Sequence, residues 1–511
     1  MTEYVRKGQI GHKAAIRLAR DVLFNNSNKV YGLGLAFSEL EYDSPSFPRN
    51  VSELGPYPSD LELLQLFLKN QPTSTPPDFV RICWNDYTAV PRMRMVPFRK
   101  FMSNLNEGKS SDIGIAKAVF GMIQNDHLIP SVPPTGEYRL HPDFSSLKSG
   151  PTEGHISMYA EFREKNGAPV PLCPRSLLQR AVETGHEHGL SFLLGFEIEF
   201  ILFERLTDTT GPNKSTSFSS RYGTLPTDGH AWSVSNYSAD PKISSLLREI
   251  VSTLETMGIY VEQLHAESAT GQFELILPPS TPVQAVDTLL HTRDVMSALA
   301  VAAGYKLTLH PKPFANKCGT AAHTHMSISS AGGDKPETYV PFYAGVLKHL
   351  RAITAFTYSN PASFERVVDG AWAGGRWVTW GTQNRETALR KVEGSHWEIK
   401  CMDGLANPYF AIAAILLAGT RGVETKEKMV WGDCKMDPAK LTANDRKELG
   451  VTDMLPASVE EALGALNGDE ELVEMLGPEL VERYVNVKEF EVSFLGGMEE
   501  EERRGWIMER Y

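Results

Sequence analysis

No stretch of about 18 consecutive apolar residues occurs in the 511-residue chain, which leaves no candidate for a membrane-spanning helix. The N-terminus shows no basic-then-apolar pattern of a secretory leader. Cysteine is sparse: Cys83, Cys173, Cys318, Cys401 and Cys434 are scattered and never spaced C-x-x-C. An odd, dispersed set of this kind argues against a disulfide framework or structural zinc and for a reducing compartment, so the chain reads as cytoplasmic. Positive charge is also short. There are 51 Lys and Arg against 63 Asp and Glu, a net −12, without the basic excess that general nucleic-acid binding needs; a local phosphate pocket stays open. Also missing are a G-x-x-x-x-G-K-[ST] loop, the kinase H-R-D and D-F-G motifs, internal repeats and low-complexity tracts.

The length exceeds what one simple core organises, so two or three domains are expected. A helical period over residues 12–24, a Pro/Ser/Gly-rich linker over 44–58, a helix over 61–69 capped by Ser59-Asp60 and a second linker over 71–77 make residues 1–75 a partly helical N-terminal extension. Residues 79–84 read as a strand and 90–98 as its hairpin partner, within a small α+β domain over 76–150. The larger domain, 151–511, alternates helices (174–188, 242–257, 282–304, 341–357 and from Asn407-Pro408 to 419) with strands joined by short turns. Short turns between strands favour a mixed, largely antiparallel sheet. Residues 207–229 are Thr/Ser/Gly-rich and read as a mobile loop or insertion, and from about 455 the chain is helical and acidic. The run Glu499 to Glu502 reads as a solvated helix face.

Within the larger domain, charge sits where a buried strand should be apolar. Glu197 and Glu199 lie two apart in an apolar run, so on a strand both leave the same face. Two neighbouring carboxylates repel each other and resist desolvation, and a divalent cation compensates both. Glu267 and Glu274 flank a Gly271-Gln272 turn, His323 and His325 share a strand face, and Glu398 and Lys400 share another. Five carboxylates and two imidazoles suit Mg²⁺ or Mn²⁺ better than structural zinc. Asn384 to Arg390 carries Arg385 and Arg390, and Arg366 lies in a separate loop. Guanidinium forks match phosphate and carboxylate oxygens. Metal-binding carboxylates beside anion-binding arginines point to phosphoryl transfer from a nucleotide.

These motifs, with Asn384-Arg385-Glu386-Thr387-Ala388-Leu389-Arg390 and the stretch from Glu398 to Gly419, resemble those of the glutamine synthetases, in the family's order over about residues 76–490. The resemblance is to the type I catalytic domain, and within it to the fungal FluG-like glutamine-synthetase-like proteins. It implies an α+β chain with an N-terminal β-grasp domain over 76–150, followed by a catalytic domain whose sheet is flanked by helices. It also implies a ring homo-oligomer, a dodecamer as is usual in type I, with ATP, a glutamate-like amino acid and an amine as small-molecule partners and neither nucleic acid nor membrane. By motif, two or more Mg²⁺ or Mn²⁺ ions would be held by Glu199, Glu267 and Glu274 and by Glu197, His323 and Glu398. His325, Ser327 and Arg390 would meet ATP. Gly319, Lys400 and Arg366 would meet the acid substrate, and Arg385 would stabilise the transferring phosphoryl group.

The chain departs from the family pattern on the ammonium side. The stretch after Arg366 reads Val367-Val368-Asp369-Gly370-Ala371-Trp372, placing Trp372 at or near the position of a flap glutamate. Residues 112–119 hold no Asp-Gly-Ser-Ser loop. Lys400 and His396 stand where the family has arginine. An aromatic side chain in place of a carboxylate favours an organic amine over ammonium. The expectation is a ligase that activates glutamate as a γ-glutamyl phosphate and joins it to a larger amine at a substrate site including Trp372. The alternative is a catalytically silent scaffold or developmental signalling protein.

Overall fold

The computed structural model describes residues 59–71, 75–206, 217–227, 230–238, 240–370 and 373–511. The helix expected over 12–24, the linker over 44–58 and Trp372 lie outside the described residues. The described chain opens as its sequence suggests. Ser59 and Glu62 form a capping box at the start of helix Asp60–Lys69, the Ser59 Oγ accepting from the Glu62 N–H.

Six strands form the first sheet: β1 (Phe79–Asn85), β2 (Pro91–Pro97), β3 (Ile113–Ala116), β4 (Glu137–Pro142), β5 (Lys148–Ser149) and β6 (His155–Arg163), in the order β2-β1-β6-β4-β3 with β5 also on β6. The hairpin of β1 and β2 stands as the alternation indicates. The sheet is completed by β6, which runs parallel to β1 and lies beyond the expected boundary at residue 150. Its run from His155 to Arg163 is almost continuously buried, as a strand in the middle of a sheet requires.

The second sheet has nine strands: β7 (Leu190–Arg205), β8 (Tyr222–Thr224), β9 (Gln263–Ala266), β10 (Gln272–Ile276), β11 (Tyr305–Thr308), β12 (Thr324–Ser330), β13 (Trp380–Thr382), β14 (Leu389–Glu393) and β15 (His396–Ile399). The order is β13-β14-β15-β12-β7-β10-β9, with β8 and β11 also on β7. Every pairing is antiparallel except β13 with β14. The protein is therefore α+β with a mixed, largely antiparallel sheet. β8 lies within the stretch expected to be a loop.

Helix Pro408–Thr425 is buried almost throughout, packed among helices Pro336–Lys348 and Pro174–Glu187. Asn407 caps it by accepting from the Tyr409 N–H at 3.0 Å, and donates from Nδ2 to the Asp86 carbonyl at 2.8 Å. A cap of this kind contributes about 1 kcal/mol; here it also ties the end of β1 to the larger domain. Helix Pro336–Lys348 packs so closely that a Cβ on Gly422 would sit 2.3 Å from the Pro341 carbonyl. The single helix expected over 341–357 is two, Pro336–Lys348 and Leu350–Thr357, meeting at His349. Pro341 lies inside the first rather than at its start, and the His349 ring bonds Asp469 at 2.7 Å. Buried Arg175 joins the two sheets' surroundings: it binds Asp143 and Glu161 on one side and Asp287 on the other. Glu499 to Glu502 are all exposed at the start of helix Glu500–Arg510. No helix among the described residues is long and apolar enough to cross a membrane.

Candidate active site

Strand alternation and register bring the charged motifs to one face of the nine-stranded sheet. Across the strands, Arg390 is paired with Glu398, Glu398 with His325, and His325 with Gly195. On the other side of β7, Glu199 is paired with Glu274 and Glu274 with His265. Directly paired residues share a face, and residues two apart share it too. Glu197 and Glu199 therefore stand between His325 on β12 and Glu274 on β10.

His323 Nδ1 lies 2.9 Å from Glu197 Oε2, 3.2 Å from Glu398 Oε1 and 4.0 Å from Glu199 Oε1. His325 Nε2 lies 2.9 Å from Glu197 Oε1, and its Nδ1 is 2.8 Å from His396 Nε2. Glu398 is almost fully buried and accepts from Arg390 at 2.8 Å and from Lys400 Nζ at 3.2 Å. Glu199 Oε2 accepts from Gln272 Nε2 at 2.9 Å and from the Ala321 N–H at 3.1 Å. Ser327, two residues beyond His325 on β12, is half-buried.

Charge follows position. Burial opposes ionisation of Glu197, but hydrogen bonds with His323 and His325 outweigh it and hold the carboxyl well below its usual range. Burial likewise opposes the Glu398 anion, yet Lys400 and His323 hold it down to about 2. The carboxyls towards β10 go the other way. Burial and then Glu267 push Glu199 up to about 7, and burial with Glu197, Glu199 and Glu267 pushes Glu274 up to about 10. Here burial and mutual repulsion outweigh the neighbouring positive charge, and a divalent cation would offset them. The donors, carboxylate oxygens with imidazoles and no thiolate, fit Mg²⁺ or Mn²⁺.

Among the described residues, three groups have ligand atoms within 4.8 Å of one another: Glu197 with His325 and Glu398, Glu197 with Glu274 and His323, and His265 with Glu267 and Glu274. These trios share members, so the cluster is more interwoven than two separate triads. His265 went unnoticed in the sequence. Its signal was present, since His265 and Glu267 have the same two-residue spacing as Glu197 and Glu199.

Arg366 ends helix Pro361–Arg366 and is 4% exposed. It donates weakly to the carbonyls of Lys400 and Met402, at 3.3 and 3.5 Å, and its Nε has no partner. It lines one cavity with Glu199, Glu267, Gln272, Gly319 and His323. Gly319 is required there: a Cβ would fall 2.4 Å from Arg366 Cγ and 2.3 Å from the Pro311 carbonyl. Arg385 is exposed on the turn before β14, near enough to Glu267 for its charge to favour that carboxylate. Asp369, the acid closest to Trp372 in sequence, is ion-paired with Arg376. Asp112 bonds His141 at 2.7 Å.

A family profile described as glutamine synthetase, catalytic domain, matches residues 171–511. Protein fluG of Emericella nidulans is 38% identical over the whole of this chain, which spans 56% of that relative's length. The γ-glutamylpolyamine synthetase GlnA3 of Streptomyces coelicolor is 28% identical over 83% of this chain and 91% of its own. A solved structure described as a GmaS/ADP complex in conformation 1 superposes with a TM-score of 0.70 at 24% identity, covering 84% of this chain and 97% of that one. The last likeness bears on the fold alone.

Proposed function

The chain belongs to the glutamine synthetase family, and from that premise we propose that it is an ATP-dependent carboxylate–amine ligase. In this reading it activates the side-chain carboxylate of glutamate as a γ-glutamyl phosphate and joins it to an amine other than ammonium. The observation that carries the reading is the shared cavity: buried Arg366, with an unpartnered Nε, opens on the same space as Glu199, Glu267 and His323.

Glu197, His323 and Glu398, with Glu199, Glu267 and Glu274, would hold Mg²⁺ or Mn²⁺. His265 is an added donor on the β9 side. Bound there, the cations would offset the negative charge of the ATP phosphates. His325, Ser327 and Arg390 face the nucleotide phosphates, and Arg385 neutralises charge on the phosphoryl group in transfer. Arg366 and Gly319 receive the amino-acid substrate, with Lys400 beneath it. A carboxylate oxygen of glutamate attacks the γ-phosphorus and ADP departs. The amine nitrogen then attacks the acyl carbon, phosphate leaves, and the departing phosphate takes the amine proton. Enclosure keeps water from the acyl phosphate. By sequence, Trp372 takes a position at or near that of the family's flap glutamate, and Asp369, the nearby acid in the chain, is engaged by Arg376. The six-stranded sheet is the β-grasp domain of this reading, the assembly a ring, and the compartment the cytoplasm.

The test is ADP release from MgATP and glutamate against a panel of ammonium, monoamines and polyamines; polyamines are included because GlnA3 is named for them. An organic amine giving the highest kcat/KM is the expected result. Ammonium outperforming every organic amine would sink the amine assignment. MgATP binding with no turnover on any amine would favour the silent alternative.

A further inference from the structure

His396 opens β15 two residues before Glu398, so its side chain leaves the strand on the site face. It has no role in the ligase reading. The backbone that carries it is firmly held on both sides. Ser395 donates from its N–H to Asp334 at 3.2 Å, accepts at Oγ from the Ile328 N–H at 3.1 Å and accepts at its carbonyl from the Tyr343 hydroxyl at 2.9 Å. Trp397, 1% exposed, stacks on Tyr343 with the ring centroids 4.2 Å apart. From this mount His396 Nε2 reaches to 2.8 Å from His325 Nδ1. The other His325 nitrogen, Nε2, lies 2.9 Å from Glu197 Oε1. An ionised carboxylate only accepts hydrogen bonds, so the hydrogen of a neutral His325 ring sits on Nε2. Its Nδ1 is then a bare lone pair, and the hydrogen between the two rings belongs to His396 Nε2.

We propose that His396 is a positioning residue for the nucleotide: by donating from Nε2 to His325 Nδ1 it fixes the His325 ring in one orientation, with the hydrogen on Nε2 available to a phosphate oxygen. The inference rests on the ligase reading for the identity of that anion. In the same reading Glu197 is needed by a cation, which leaves His396 as the partner that still holds the ring. A ring nitrogen so engaged sets both the tautomer and the direction of its partner nitrogen. Reach then decides which substitute works. The amide nitrogen of glutamine lies about as far along the side chain as histidine Nε2, and that of asparagine about as far as Nδ1. His396 bonds through Nε2, so His396→Gln keeps the contact and His396→Asn loses it.

The experiment measures, by calorimetry on the full chain, the affinity for the Mg²⁺ complex of a non-hydrolysable ATP analogue, with the melting temperature as the check on folding. His396→Ala and His396→Asn should each weaken binding about 10- to 100-fold and raise the KM for ATP more than they lower kcat. His396→Gln should recover most of the affinity. Because the effect passes through His325, His396→Ala added to a His325→Ala chain should cost nothing further. Wild-type affinity in His396→Ala, equal recovery by asparagine and glutamine, or a full further loss in the double variant would overturn the proposal while leaving the ligase reading standing. The expected pattern of affinities in a chain that turns over no amine would do the reverse.

Discussion

The carboxylate face and the segment after Arg366 are built in opposite ways. The face stands on adjacent paired strands, and Glu197, His323, Glu398, Arg390 and Lys400 bond one another across it at 2.8–3.2 Å. Among the described residues after Arg366, 367–370 and 373–376 form neither helix nor strand, and the acid there, Asp369, is ion-paired with Arg376. Rigid strands fix groups that must be held against mutual repulsion. A loop can change its side chains without disturbing them. A chain can thus keep the phosphate-handling half of a site while altering which nucleophile it accepts.

Removing a charge from the face is the most damaging way to probe that contrast. Glu398→Gln should lower kcat by about 10²–10³-fold and, by leaving buried Lys400 and Arg390 uncompensated, also lower the melting temperature; a loss of kcat under ten-fold in the folded variant would mean the face is not the reacting centre. Next, Arg366→Ala removes a buried charge expected to hold the acid, at about 2–5 kcal/mol, and should raise the KM for glutamate some 30-fold or more with MgATP binding unchanged. An altered affinity for MgATP and an unaltered glutamate KM would put Arg366 on the wrong half.

His265→Gln tests whether the β9 side belongs to the metal cluster, with an expected loss of Mn²⁺ affinity of about ten-fold by calorimetry. The smallest effect is on stability. The folded carboxyls of Glu199 and Glu274 titrate near 7 and near 10, above the ordinary value of 4.5. Stability from their protonated forms is present below pH 4.5 and lost as pH rises through those folded values. Without metal, the wild type should lose a few degrees of melting temperature relative to Glu274→Gln between pH 5 and 8, and Mg²⁺ should restore it with uptake favoured at higher pH. A wild type that gains on the variant over this window would contradict the crowding seen on β10.

What could be read from the sequence was whatever depends on short spacing. Glu197 and Glu199 share a face because a strand repeats every two residues, and Ser59 with Glu62 announces its helix. Long-range register was not legible. Glu274 lies opposite Glu199 across 75 residues of chain, and this pairing brings Glu274 within reach of Glu197 and His323. β6 was assigned to the larger domain because nothing local says that it will pair with β1 and β4. His349, at the helix break, bonds Asp469, 120 residues away, a contact no local pattern announces. His265 joins the cluster through its pairing with Glu274 across β9 and β10, which its spacing to Glu267 alone does not reveal.

On the ligase reading, the sheet face activates a carboxylate by phosphorylating it. Glutamate carrying ¹⁸O in its side-chain carboxylate, MgATP and hydroxylamine, a small nucleophile that does not depend on the amine pocket, test it directly. One ¹⁸O should appear in each released phosphate, together with γ-glutamyl hydroxamate. ADP release with unlabelled phosphate would mean simple hydrolysis of ATP and contradict the claim.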